Sequence, residues 1–400
     1  MKDSGIVEEV PGYYGPVKME ESIIQRIWAE QDLFTDSLQT ECGKEIFVNY
    51  EGNWNQSEEG PDFKNARLIV DGKEVEGDLE IHFKPKDWKR HGHHSDPRYE
   101  NVILQICLFP ENSGKTEPFH TEKGRELPCL LLLPHLFHGV EEYAEAYTLA
   151  RLSSRDGKAE KEMNCLIRLS ADEREELARI RWLNKLSFAR TRLAAQGWEM
   201  ACHQWFLEIL GYRRNKSPMA RLAQRFSIEQ WKSGVIEPDM AYQSERGWKL
   251  RACRPANHPL LRLQQYAELW RISPDWPERL AAFADNNLEL IQDTNPEKNK
   301  PTMLSRIWRE QILGDVFAQG KANTLWIDAC WPLLCEFKNL DSFSLWNQWP
   351  AGDCPSKFKD WARRLRWTDG SGKKPFSNGQ VQCILESLQR RMIKNSENLS

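Results

Sequence analysis

The sequence has no long apolar run. Its densest, Leu130-Leu131-Leu132-Leu133, is far short of the roughly 20 residues a membrane-spanning helix needs and reads as a buried strand. No membrane partner is therefore expected. Met1-Lys2-Asp3-Ser4-Gly5 has no apolar signal core, and the ten cysteines show no disulfide framework, so the expected compartment is a reducing cytoplasm. Charge of one sign is also scarce. A formal net charge of −4 over 400 residues excludes a globally basic nucleic-acid binder, so any basic surface must be local. No internal repeat of fixed period is present. The length suffices for a buried core and suggests two domains.

Histidine is sparse too, with nine in the chain, yet four lie between His82 and His94. Asp62, Asp78, Glu80, Asp87 and Asp96 lie on or beside them. Packing alone rarely collects so many metal-capable groups in one stretch, which places the candidate site between Gly52 and Cys107.

Asp71-Gly72 follows the apolar run Ala66 to Val70 and signals a two-residue hairpin turn, because both central residues must accept positive φ. On the returning strand Leu79, Ile81 and Phe83 take one face, and Asp78, Glu80 and His82 the other. This predicts a half-buried strand with chemistry on its open side. An unbroken ladder would put Asp62 on the wrong face. One extra residue in the second strand, at Gly77, would bring Asp62 opposite His82 and close to Glu80. Carboxylates converging this way suit a hard cation, Mg²⁺ or Mn²⁺, with Asp62, Glu80 and Asp78 as ligands. Such an ion can generate hydroxide and neutralise charge on a phosphate.

Helix, strand, Pro61-Asp62, hairpin, Glu80-Ile81-His82: this order resembles the PD-(D/E)XK nuclease superfamily, with His82 where that superfamily usually has lysine. The resemblance implies a restriction-endonuclease-like mixed sheet with flanking helices, and catalytic roles for Asp62, Glu80 and His82. It also brings in Glu21, on the helix from Glu20 to Phe34; helix-dipole stabilisation is the simpler account of that acid. Trp54-Asn55, Gly60 to Phe63, Gly77 to His82 and Asp87-Trp88 with His91 and His93 also resemble the pattern of a bacterial family of unknown function. Gln105 stands where that pattern has a histidine.

Lys84, Lys89 and Arg90 surround Trp88, and with His91 and His93 they form a basic patch with an aromatic platform. That composition suits a nucleic-acid backbone with one stacked base. His91, His93 and His94 could instead bind Zn²⁺ together with His82 or Asp96. Beyond the polar stretch Arg151 to Glu162, amphipathic helical patterns dominate, the longest from Asp172 to Met200 with Ser170 as cap and Glu173 three residues on. Fourteen of the seventeen tryptophans lie from Trp182 onward. Tyr212 to Lys216, and Arg251, Arg254 and His258, are further basic candidates.

The expected fold is α+β: a PD-(D/E)XK nuclease-like α/β domain over 1–150, followed by an irregular all-helical domain over 165–400. The expected function is a metal-dependent phosphodiesterase acting on DNA or RNA. Two alternatives stay open. One is a non-catalytic nucleic-acid-binding or scaffolding protein on the same fold, and the other is a zinc hydrolase using the His82 to His94 cluster.

Overall fold

The computed structural model describes residues 7–12, 15–33, 35, 38–56, 59–111, 118–137, 139–152, 163, 166–212, 215–250, 253, 255–292, 300–340, 342–368 and 376–397. The chain divides into two compact units, residues 1–151 with 390–400, and residues 152–389. The fold is α+β, with a large mixed sheet in the N-terminal part and a helical C-terminal part.

The first unit opens on a hairpin, β1 (Val7–Gly12) paired with β2 (Gly15–Glu20). Pro11 pairs with Pro16 at the closed end, and in a two-stranded ribbon a proline's missing N–H can face away from the partner strand. Helix α1 (Glu21–Ala29) buries Ile23, Ile24, Ile27 and Trp28. It stops short of the expected Phe34 because Gln31 turns left-handed at φ 48°. The Gln31 and Asp32 N–H groups then bond back to the carbonyls of Trp28 and Ile27, closing the helix.

The sheet is built from β3 (Leu38–Gln39), β4 (Glu45–Tyr50), β5 (Asn53–Trp54), β6 (Phe63–Val70), β7 (Lys73–His82), β8 (Val102–Cys107) and β11 (Cys129–Leu131). Between β7 and β8 lies the single turn α2 (Asp87–Arg90), and β9 (Phe119–His120) pairs with β10 (Glu126–Leu127). The strand order is β11-β8-β7-β6-β4-β3, with β5 beside β6. That makes seven strands, of which β3 and β5, two residues each, are too short to leave an alternating pattern in the sequence. β3 to β7 pair antiparallel, whereas β8 runs parallel to β7 and β11 to β8. Thr40, just after β3, bridges Leu130 of β11, and the Glu41 N–H donates to the Cys129 carbonyl at 2.9 Å. The sheet thus curls until its outer strands meet. Its apolar side chains, among them Ile46, Leu68, Leu79, Ile81, Leu104, Ile106 and Leu130, share one core with Ile24 and Trp28.

The hairpin follows its Asp-Gly signal, with Asp71 at φ 47° and Gly72 at φ 77° and Val70 opposite Lys73. The register does not follow the expected bulge at Gly77. Pairing holds from Val70–Lys73 to Ala66–Gly77, then resumes at Phe63–Leu79. The extra residue therefore lies on β6, at Lys64-Asn65, where Asn65 takes φ 58°. Gly77 is needed for another reason. A Cβ there would lie 2.4 Å from Ile103 Cγ2 and 2.6 Å from the Asn101 carbonyl oxygen, so glycine lets β7 and the approach to β8 close up.

The second unit begins with α4 (Ala171–Leu210), which follows α3 (Val140–Leu152) among the longer helices. Its start is the predicted capping box, with Ser170 Oγ accepting from Glu173 N at 3.1 Å and Ser170 N donating to Glu173 Oε2 at 2.7 Å. The helix breaks at Gly197 (φ 73°). Across that break Arg192 makes two bonds of 3.0 Å to the buried Glu208 carboxylate. The late tryptophans form this unit's core, among them Trp182, Trp270, Trp276, Trp326 and Trp346. No helix among the described residues is long and apolar enough to cross a membrane.

Two outcomes follow for stability. Gly77→Ala should destabilise the protein by about 1–3 kcal/mol through overpacking, read from the denaturant midpoint; an unchanged midpoint would show that β8 yields without cost. In the second unit, buried His203 contacts Tyr266 Oη through Nδ1 at 2.6 Å, and burial lowers its pKa to about 4. The unfolded chain protonates this histidine near pH 6.5, so it binds more protons than the folded state between about pH 6.5 and 4. Stability falls as pH falls through that window. The drop from pH 7 to pH 5 should be about 2 kcal/mol larger in the wild type than in His203→Gln, and equal drops would exclude His203 as the cause.

Candidate metal centre

The site is built on a strap between β6 and β7. One residue beyond the Phe63–Leu79 pair, Asp62 comes level with Glu80. The Asp62 N–H donates to Glu80 Oε2 at 2.9 Å, and the Ile81 N–H donates to Asp62 Oδ2 at 3.0 Å. Carboxylates thus take the bonds that the bulge removes from the ladder. Asp62 Oδ1 accepts from Gln25 Nε2 of α1 at 2.9 Å, and Trp54 Nε1 donates to Gln25 Oε1 at 3.4 Å. Asp78 serves the bulge itself, accepting from the Asn65 N–H at 3.1 Å.

The face bearing Glu80 and His82 is not open. Glu80 is 5% exposed and His82 0%, because the segment after β7 folds back over them. In α2 the buried Asp87 accepts from the Lys84 N–H at 2.9 Å and pairs with Arg90 at 3.2 Å. Gly92 then turns left-handed at φ 76° and returns His93 toward β7. The His93 ring stacks on Tyr99 with centroids 3.8 Å apart. Beneath them Trp88, Tyr99, Val102, Phe119 and Leu127 form a small separate core.

Three imidazoles converge there. His82, His91 and His93 each offer one ligand atom, and these atoms lie within 4.8 Å of one another. Glu80 Oε1 lies 3.3 Å from His93 Nε2 and 3.9 Å from His82 Nε2. Ligands about 2.1 Å from a tetrahedral ion stand about 3.4 Å apart, so the three imidazole ligand atoms need only a modest contraction to share one ion. His82 Nε2 is buried with no hydrogen-bond partner among the described residues. Such an atom is costly unless something else occupies it. Burial, followed by the neighbouring His93, His91 and Arg90, holds the His82 pKa well below the ordinary histidine value. His82 is therefore neutral, the form a metal requires. The donor set fits a nitrogen-preferring ion.

The other expected residues are placed differently. Trp88, expected as a base-stacking platform, is wholly buried, with its Nε1 donating to the His120 carbonyl at 3.1 Å and its ring edge-on to His93 and Tyr99. Lys89 and Arg90 are exposed, and Lys84 and His91 are half-buried. Asp96 is held by Arg98, whose Nε lies 2.9 and 3.0 Å from its two oxygens, and does not join the imidazoles. Glu21 is half-buried in the first turn of α1, one turn before Gln25, the α1 side chain that reaches Asp62. His258 is half-buried beside Tyr242. Arg213, Arg214, Arg251 and Arg254 lie outside the described residues, as does most of Arg151 to Glu162. Sequence reasoning missed Gln25 and Tyr99, and treated Gln105 only as a departure from a pattern. Nothing local marks a glutamine as the partner of a buried carboxylate or imidazole.

Residues 21–238, more than half of the chain, match the model of a family described as "Protein of unknown function (DUF2851)", and the chain belongs to that family. No curated protein and no solved structure matches it.

The strap makes Asp62 a structural group whatever else it does. Asp62→Ala leaves the buried Ile81 N–H without its acceptor and should cost about 1–3 kcal/mol, measured by chemical denaturation, with Asp62→Asn costing less. Full stability in Asp62→Ala would show that the strap does not hold the strands.

Proposed function

We propose, for a chain that belongs to this family of unknown function, a metal-dependent hydrolase whose ion is held by His82, His91 and His93 with Glu80 beside them. The observation that carries this reading is the convergence of three imidazoles around a buried His82 Nε2 that no described residue satisfies. A nitrogen-rich donor set favours Zn²⁺ over Mg²⁺. Bound there, such an ion supplies a hydroxide nucleophile at neutral pH. Glu80 Oε1, 3.3 Å from His93 Nε2, is placed to take a proton from water at the site. His91 is the most exposed of the three imidazoles and marks the side from which substrate enters. Lys89 and Arg90 are exposed next to it in sequence and supply a basic rim suited to an anionic substrate, a phosphodiester of DNA or RNA.

A second reading rests on a different observation, the position of Asp62 level with Glu80 across β6 and β7. It is the two-carboxylate nuclease similar to the PD-(D/E)XK superfamily, in which Asp62, Glu80 and Asp78 hold Mg²⁺ or Mn²⁺ and His82 takes the lysine role. The engagement of Asp62 by two N–H donors and of Asp78 by the bulge makes this the lesser reading.

Protein purified without chelator should carry one Zn²⁺ per chain, and His91→Ala or His93→Ala should weaken zinc binding by about 100-fold or more. Hydrolysis of single- and double-stranded DNA and RNA should follow zinc occupancy. Metal-free protein whose cleavage needs Mg²⁺ or Mn²⁺ and Asp62, but neither His91 nor His93, would install the second reading. Bound zinc without hydrolysis of any substrate would leave a non-catalytic binding protein.

A further inference from the structure

We infer that Gln105 governs metal entry into this site by setting which nitrogen of His82 carries the proton. The inference rests on the metal reading for its functional consequence, but not for its geometry. Gln105 lies on β8 directly beside Glu80 of β7 and is wholly buried. Its side-chain nitrogen is 3.0 Å from the Pro85 carbonyl oxygen and 3.1 Å from His82 Nδ1. Its Oε1 is buried with no hydrogen-bond partner among the described residues.

A backbone carbonyl can only accept, so the atom facing Pro85 is the amide –NH₂. That group has two hydrogens. One goes to Pro85, and the other points to His82 Nδ1, which must then be a bare acceptor. In a neutral imidazole the remaining proton sits on Nε2. His82 Nε2 is then an N–H aimed toward Glu80 Oε1, which at 3.9 Å is beyond hydrogen-bond reach.

An Nε2 that carries a proton cannot ligate a metal. Ligation through Nε2 requires the proton on Nδ1, and Nδ1–H requires an acceptor in place of the amide nitrogen. Turning the Gln105 amide over supplies one, because Oε1 then faces Nδ1. The proton leaves Nε2 and reappears on Nδ1, so this histidine releases none overall. The turn gives up the bond to Pro85 and sets Oε1 against that carbonyl. It leaves the –NH₂ where Oε1 has no partner among the described residues. Gln105 therefore has two discrete arrangements. In one His82 is a proton donor aimed into the site, and in the other it is a metal ligand with the fixed second nitrogen that metal-bound histidines require. The metal-free arrangement opposes loading, and bound metal selects the other.

The tautomer of His82 can be read directly from the ¹⁵N shifts of its ring in labelled, full-length, metal-free protein. Bare Nδ1 and protonated Nε2 are expected, and a protonated Nδ1 would overturn the inference. Addition of Zn²⁺ should move the proton to Nδ1. Gln105→Glu offers an acceptor to Nδ1–H without a turn, and should tighten zinc binding about tenfold, about 1.4 kcal/mol. Gln105→Met, which imposes neither tautomer, should fall between that variant and the wild type. Equal or weaker zinc binding by Gln105→Glu would overturn the regulatory role. If the wild type binds no zinc, the hydrolase reading falls, while the ring shifts of the metal-free protein still decide the assignment of Gln105.

Discussion

The pairing of β6 with β7 through two carboxylates is the constraint on which the site depends. A bulge at Lys64-Asn65 interrupts the ladder, and Asp62 and Glu80 take over the N–H groups near the gap. The exchange fixes the register of the last turn of β7, which in turn fixes His82. It also places Glu80 beside Gln105 of the parallel strand β8. A one-residue slip would send Glu80 and His82 into the apolar core and Leu79 and Ile81 out of it. Polar groups here specify geometry as much as they stabilise it.

Burial is the second theme. The segment from Pro85 to Asn101 is built of three short helical turns, Asp87–Arg90, His93–Ser95 and Pro97–Tyr99, and it excludes water from two carboxylates and an imidazole. Trp88 and Tyr99 provide the apolar mass, and Gly92 provides the reversal. Polar atoms without a hydrogen-bond partner among the described residues remain under this cover, His82 Nε2 and Gln105 Oε1 among them. In a closed core such atoms are rare, and where they cluster the surroundings must over-determine them.

How much of this was legible in the sequence depends on distance along the chain. The Asp71-Gly72 turn and the Ser170–Glu173 capping box are set by neighbouring residues, and the structure has them as expected, whereas the polar face at Glu80 and His82, expected open, is covered. The strand that carries the bulge was not legible. Gly77 looked like the irregular residue, but its lack of a side chain answers to Ile103 and Asn101, some 25 residues away. The burial of Trp88 had the same origin, because Phe119, His120 and Leu127 cover it. The histidine cluster was visible as composition, and its convergence was not, since His82 leaves on one strand and His91 and His93 return after a left-handed turn. Gln25 and Gln105 carried no signal, because an amide is informative only once its partners are known.

The closure of the sheet has a consequence for how this unit assembles. Thr40 and Leu130, which join its ends, are separated by about ninety residues, and a loop of that length carries a large entropy cost before any contact rewards it. The β6–β7 hairpin needs only a two-residue turn and can form early. Parallel pairing of β8 and then β11 requires longer excursions, so the joining of β11 to the β3 end falls late. Until it does, two strand edges stay unpaired and open to other chains. The contact that joins the ends of the finished sheet is therefore also the step during which a nascent chain is most exposed to misassembly.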